Sequence, residues 1–236
     1  LFMGLCAHPE FRALDFSKLH LTMSGGTALT RSAAELWEKT TGCTVTEGYG
    51  LSETSPVVSF NMPGEEQLGT VGFPLIETDI QLLDENDQVV PDGEEGQIAV
   101  GGPQVMKGYW KRDDETAKVM TKNGYFKTGD VGVKLPDGAI KIVDRLKDMI
   151  IVSGFNVYPN EIEDALTQHP HVLEAAVVGK PDDKTQERVC AYVTVSPEYN
   201  EAEVLEHCKT LLTNYKIPKE FNVLEELPKS TVGKIL

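Results

Sequence analysis

From Gly69 to Asp144 the apolar residues arrive in short runs, each closed by residues that favour turns. "ETDIQLLDENDQVV" reads as a hairpin turning at Asp84 to Asp87, and "GEEGQIAVGG" adds another strand. "VGVKLPDGAIKIVD" reads as a second hairpin, turning on Pro136, Asp137 and Gly138. Strands this short and this close predict a small β-barrel or sandwich subdomain.

The flanking stretches have other periods. Upstream, "LHLTMS" suits a buried strand, "GGTALT" a glycine turn, "RSAAELWEKT" a helix and "CTVTEGYG" a return strand, the layering of a wound α/β sheet. Downstream, Asn160 and Glu163 predict an N-x-x-E capping box opening "NEIEDALTQH". Asn200 and Glu203 predict another for "EAEVLEHCKTLL", with Val204, Leu205, Cys208, Leu211 and Leu212 on one face. The apolar strands "VLEAAVVG" and "RVCAYVTV" lie between them, which predicts a compact α+β domain. The expected boundaries are 1–68 for wound sheet, 69–146 for the β-rich subdomain and 147–236 for the α+β domain, divided within "DRLKDMI".

Composition narrows the function. With 22 Lys and Arg against 37 Asp and Glu, the net charge is −15, unsuited to gripping a nucleic-acid backbone. No apolar run approaches the roughly 20 residues of a membrane span, and no signal peptide opens the chain. A cytoplasmic protein is expected, with small-molecule partners and at most peripheral contact with the inner face of a membrane. The cysteines Cys6, Cys43, Cys190 and Cys208 show no C-x-x-C spacing and predict free thiols. His169 and His171 around Pro170 suggest a solvated turn at a helix end.

Four stretches carry chemistry. In "EGYGLSET", Tyr49 stands between Gly48 and Gly50 and offers a flat face for a nucleobase; Ser52, Glu53 and Thr54 supply hydroxyls and a carboxylate suited to phosphate and Mg2+. In "YFKTGDVG", Asp130 can accept hydrogen bonds from a ribose diol. In "IVDRLKDMIIVSGFNVYPNEIE", Arg145 is a planar donor fork and Ser153–Gly154 a turn after a strand. "LPKSTVGKIL" places Lys234 behind Gly233, but Pro228 and Ile235 stand where a Walker loop needs Gly and Ser or Thr. Taken singly, the Tyr49 and Asp130 stretches read better as ordinary turns, and the Arg145 stretch can be a strand-to-helix loop with a solvated linker.

Together and in this order, the four stretches resemble the signature motifs of the adenylate-forming acyl- and aryl-CoA synthetases. "GPQVMKGYW" and "VSGFNVYPNEIEDAL" look most like bacterial long-chain fatty-acid–CoA ligases. The resemblance implies an AMP-forming ligase using ATP, Mg2+ and CoA. Lys234 would be the adenylation lysine; Tyr49, with Gly25, Gly26 and Thr27 opposite and Gly50 beside it, would hold adenine. Thr54 would touch phosphate, Glu53 would hold Mg2+, and Asp130 with Arg145 would bind ribose. Lys147 would be the hinge of a mobile small domain that presents Ser153 and Gly154 to CoA. The resemblance further implies a phosphate loop ahead of Leu1 and basic residues after Leu236. The chain is therefore expected to be a piece of a longer protein, inactive by itself, and Leu146 replaces a more usual lysine. Alternatives are an aryl-CoA ligase, a peptide-synthetase adenylation domain, or a non-catalytic nucleotide-binding relic.

Overall fold

The computed structural model describes residues 1–27, 29–231 and 235–236, and the chain forms two compact units, Leu1–Leu146 and Lys147–Leu236. The first unit runs α1 (Phe2–Ala7), α2 (Pro9–Arg12), β1 (Thr22–Ser24), α3 (Arg31–Thr41) and β2 (Val45–Gly50). It continues with β3 (Val57–Phe60), β4 (Phe73–Pro74), β5 (Asp79–Leu83), β6 (Glu95–Gly101), α4 (Asp113–Val119), β7 (Phe126–Lys134) and β8 (Ile140–Arg145).

Helix α3 shows why the first part folds as it does. Thr30 caps it by accepting the Ala33 N–H, and Gly42, left-handed at φ 73°, closes the far end onto the Glu38 carbonyl. Ala33, Ala34, Trp37 and Thr41 face inward, and the Trp37 indole donates to Thr22 Oγ1 at 3.0 Å, fixing the helix on β1. Strands β1 and β2 are parallel across this helix, and β3 and β4 continue the sheet antiparallel.

The β-rich stretch forms an open, antiparallel four-stranded sheet in the order β5-β6-β7-β8, not a closed barrel. Four strands are too few to close around a packed interior. Val58 of β3 instead packs with Leu82, Ile98, Val100 and Ile140 in a shared core, while backbone bonds between Val71, Gly72 and Ile140 tie the two sheets. The expected turns form: Asp84 Oδ1 accepts from Asn86 and Gln88, and Gly138 takes φ 93° between β7 and β8.

The second unit contains β9 (Ile150–Val152), β10 (Phe155–Val157), α5 (Pro159–Thr167), β11 (Val172–Asp182), β12 (Gln186–Val195), α6 (Glu201–Leu211) and β13 (Glu220–Val223). Strand β12 pairs antiparallel with β11 and β9 and parallel with β13. Ile162 and Leu166 of α5 and Val204 and Cys208 of α6 pack with Val189 and Val193 of β12. Each large apolar side chain so buried contributes about 1.5–3 kcal/mol.

Two details of this unit differ from the sequence expectation. Helix α5 begins a residue early, at Pro159, whose fixed φ suits the first helical position, so Asn160 lies inside the helix and is not its cap. Glu163 Oε1 accepts the Val177 N–H of β11 at 2.8 Å, clamping helix to sheet. In α6 Asn200 does cap, accepting from Ala202 at 3.0 Å, but Leu211 is 47% exposed and leaves the apolar face. All four cysteines are free and buried, two in each unit. No described helix is long and apolar enough to cross a membrane.

His169 is buried, with ring centroids of His171 and His207 5.5 and 5.4 Å away. Pro170 stays exposed and His171 half-buried, so the turn is solvated as expected while His169 itself packs inward. The His171 N–H donates to His169 Nδ1, which requires an unprotonated nitrogen. Burial, then His207, then His171 hold the His169 pKa below its ordinary 6.5, with Glu203 opposing. The neutral form is thus favoured in the folded state. The unfolded chain binds the proton more readily, so this contribution is full above pH 6.5 and is lost as pH falls below it. Urea unfolding of the second unit at pH 7.4 and 5.5 (roughly, bracketing the histidine range) should show an acid loss that His169→Gln reduces.

Candidate active site

Strand β2 ends in Gly48, Tyr49 and Gly50 beside β3. A Cβ on Gly50 would lie 1.9 Å from the Pro56 carbonyl oxygen, so only glycine fits there. The β1 end delivers Gly25, Gly26 and Thr27, all exposed, and a Cβ on Gly25 would sit 3.2 Å from the Gly48 oxygen. The adenine loop proposed from the sequence therefore runs close alongside the Tyr49 strand end.

Three of the predicted residues meet directly. Asp130 and Arg145 are opposite one another in the β7–β8 ladder, and Arg145 Nε donates to Asp130 Oδ1 at 2.9 Å. Tyr49 Oη donates to Asp130 Oδ2 at 2.5 Å. Burial first, and then the Asp130 charge, push the Tyr49 hydroxyl far above the ordinary phenol range, so it remains a donor. The Asp130 carboxylate is 11% exposed and Arg145 49%. Each carboxylate oxygen retains acceptor capacity after one bond, so ribose hydroxyls can still be received.

Arg145 and Glu53 line one cleft of about 320 Å3 with Leu51, Tyr109, Thr128 and Gly129. That volume is within the range of small-molecule sites. Glu53 Oε1 accepts from Tyr109 Oη at 2.9 Å. Among the described residues no group of three or more His, Cys, Asp or Glu is arranged to hold a metal. Lys118 and Lys127 line the cleft besides Arg145, so the half-buried Glu53 carboxylate fits Mg2+ only together with nucleotide phosphates. That is the usual arrangement for an ion that takes one or two carboxylates and fills its remaining positions with water and substrate phosphates.

Thr54 does not reach this cleft. It is fully buried, and its hydroxyl donates to the Pro56 carbonyl at 2.6 Å and accepts the Leu51 N–H at 3.0 Å. The short 3-10 turn Ser52–Thr54 directs it inward and leaves Ser52 as the exposed hydroxyl beside Glu53. The expected phosphate contact through Thr54 is thus replaced by a structural one. Tyr109 was missed because only its own sequence neighbourhood, "MKGYW", is visible in the chain, 56 positions from Glu53.

In the second unit Ser153 and Gly154, at φ 53° and 83°, form the two-residue turn of the β9–β10 hairpin. The turn joins strand to strand, and the Ser153 N–H is tied to the Thr185 carbonyl at 2.7 Å. Phe155 beside it stacks on Tyr215, centroids 4.8 Å apart. Lys147 is exposed in the 3-10 turn Leu146–Asp148, where the two units divide. Lys234 lies outside the described residues.

The model of the AMP-binding enzyme family matches residues 1–110, and that of the AMP-binding enzyme C-terminal domain matches 161–234. The chain belongs to the AMP-binding enzymes. A long-chain-fatty-acid–CoA ligase of Escherichia coli O6:H1 is 48% identical over 238 residues, covering 100% of this chain and 42% of the relative. A feruloyl-CoA synthase of an Amycolatopsis species is 38% identical over 240 residues, covering 100% of this chain and 48% of that protein. ATP-bound MatB from Rhodopseudomonas palustris superposes with a TM-score of 0.91 at 34% identity, over 99% of this chain and 47% of that one. This AMP-binding enzyme chain therefore spans less than half the length of each.

The two hydroxyls are separable by stability. Urea unfolding should show Thr54→Val losing about 1–3 kcal/mol, the cost of stranding buried partners. Ser52→Ala should stay within about 0.5 kcal/mol of the parent, as exposed substitutions do.

Proposed function

We propose that this chain belongs to a ligase that joins a long-chain fatty acid to CoA through an acyl adenylate. The observation carrying the proposal is the Tyr49–Asp130–Arg145 constellation, with Glu53 on the cleft that Arg145 lines. Identity of 48% to a long-chain-fatty-acid–CoA ligase favours the fatty substrate. In the first step a carboxylate oxygen attacks the α-phosphorus of ATP, forming the O–P bond as pyrophosphate leaves. In the second, the CoA thiol attacks the acyl carbon, the C–S bond forms, the C–O bond to AMP breaks, and the thiol proton is released.

Each residue has a role in this scheme. Tyr49 holds adenine with Gly25, Gly26 and Thr27 beside it, and Asp130 with Arg145 receives the ribose. Ser52 takes the phosphate contact that the buried Thr54 does not supply. Glu53 would hold Mg2+, which, when bound, neutralises phosphate charge. Lys234 bridges the incoming carboxylate and the α-phosphate, two anions that otherwise repel. At about 4 Å and an effective dielectric near 20 such a contact is worth on the order of 4 kcal/mol. Rotation about Lys147 then presents the Ser153–Gly154 turn for the thiol step, so that one site serves both reactions.

A second candidate is an aryl-CoA ligase, favoured by the 38% identity to a feruloyl-CoA synthase. Pyrophosphate exchange into ATP, in a protein of the relatives' length carrying this chain, separates the two. Dependence on a fatty acid supports the first; dependence on a cinnamate-like acid alone transfers the protein to the second. In the same assay Lys234→Ala should lower exchange by roughly two to three orders of magnitude while sparing thioester formation from supplied acyl adenylate. Lys147→Pro should do the reverse, because proline fixes the φ that the rotation must vary. Equal losses in both half-reactions would remove Lys147 as the pivot.

A further inference from the structure

The segment between β6 and α4 wraps the Glu53 turn and grips it twice. The Met106 N–H donates to the Glu53 carbonyl at 2.8 Å, and Tyr109 Oη donates to Glu53 Oε1 at 2.9 Å. The segment is itself anchored at both ends. Gln104 Nε2 donates to Thr78 Oγ1 at 2.7 Å, and the Tyr109 N–H donates to Thr116 Oγ1 on α4 at 2.9 Å. Gly108, at φ 153°, lets this happen, since a Cβ there would lie 2.8 Å from the Thr116 methyl carbon. Glu53 and Tyr109 both line the cleft that Arg145 also lines.

A glutamate without such a hold samples many rotamers, and freezing it on a cation is opposed by entropy. A carboxylate already fixed by a phenol loses less on binding. The Tyr109 hydroxyl provides that hold through its 2.9 Å bond to Glu53 Oε1, with its own backbone N–H seated on Thr116. We propose that Tyr109 is a positioning residue for Glu53, holding Oε1 so that the carboxylate would be set in place to receive a divalent cation carrying nucleotide phosphates. This rests on the assignment of Glu53 as the metal carboxylate.

Binding of Mn2+ in the presence of ATP, followed by electron paramagnetic resonance on a protein of the relatives' length carrying this chain, tests both layers. Tyr109→Phe should weaken Mn2+ about tenfold, the scale of one hydrogen bond to a charged group. ATP affinity without metal should be unchanged, which a general loss of structure would not permit. Glu53→Gln should weaken Mn2+ further. Thr116→Val, which keeps the phenol but loosens its seat, should weaken Mn2+ in the same direction and by less.

Unchanged Mn2+ affinity in Tyr109→Phe, with loss in Glu53→Gln, overturns the positioning role alone. Unchanged affinity in Glu53→Gln, or no Mn2+ bound with ATP by that full-length parent, overturns the metal assignment and the positioning role with it. If Tyr109→Phe does not fold, Thr116→Val decides, and parental affinity there overturns the proposal.

Discussion

The Asp130 carboxylate ties the first unit together at the point where chemistry is expected. It lies in β7 and accepts from Arg145 of β8 and from Tyr49 of β2, so a single anion joins the two sheets. A carboxylate this buried is costly unless its oxygens are met by strong donors, and charge-assisted bonds are about twice as strong as neutral ones. The arrangement fixes the Tyr49 ring by its hydroxyl and fixes the Arg145 guanidinium on the cleft wall. Neither can be replaced by a residue of similar shape that lacks the donor. Glu47, two residues before Tyr49, adds a second hold: it is buried, its pKa is raised by that burial, and its Oε2 accepts the Gly69 N–H at 3.0 Å.

The segment from Leu51 to Pro56 separates structure from function within a few residues. Thr54 faces inward and closes the turn, Ser52 faces out, and Glu53 between them is held by a segment from farther along the chain. Gly50 makes this possible because the Pro56 carbonyl occupies the space any side chain would need. The chemistry available at the cleft follows from that packing.

What the sequence made legible was local. The turn at Pro136 to Gly138, the cap at Asn200 and helix α3 each follow from residue types within a few positions of one another. The Tyr49, Asp130 and Arg145 cluster was reached only through motif order, since 81 positions separate Tyr49 from Asp130. Other features, the Tyr109 contact with Glu53 among them, were not legible. Whether the β-rich stretch closes depends on pairing between its edge strands, which no local pattern encodes. The inward turn of Thr54 depends on a backbone that presents two adjacent hydroxyls to opposite sides. Proline at the first helical position moved the start of α5 ahead of the Asn160 signal, since its fixed φ already suits a helix.

The buried cysteines have a practical corollary. Cys6 and Cys43 lie within the first unit, Cys190 and Cys208 within the second, and burial pushes the Cys208 thiol up to about 11. A thiolate is the reactive form, so an alkylating reagent reaches these sulfurs only when the surrounding unit opens. Mass-resolved labelling at the four sites would thus time the opening of each half of the molecule separately, with no engineered probe.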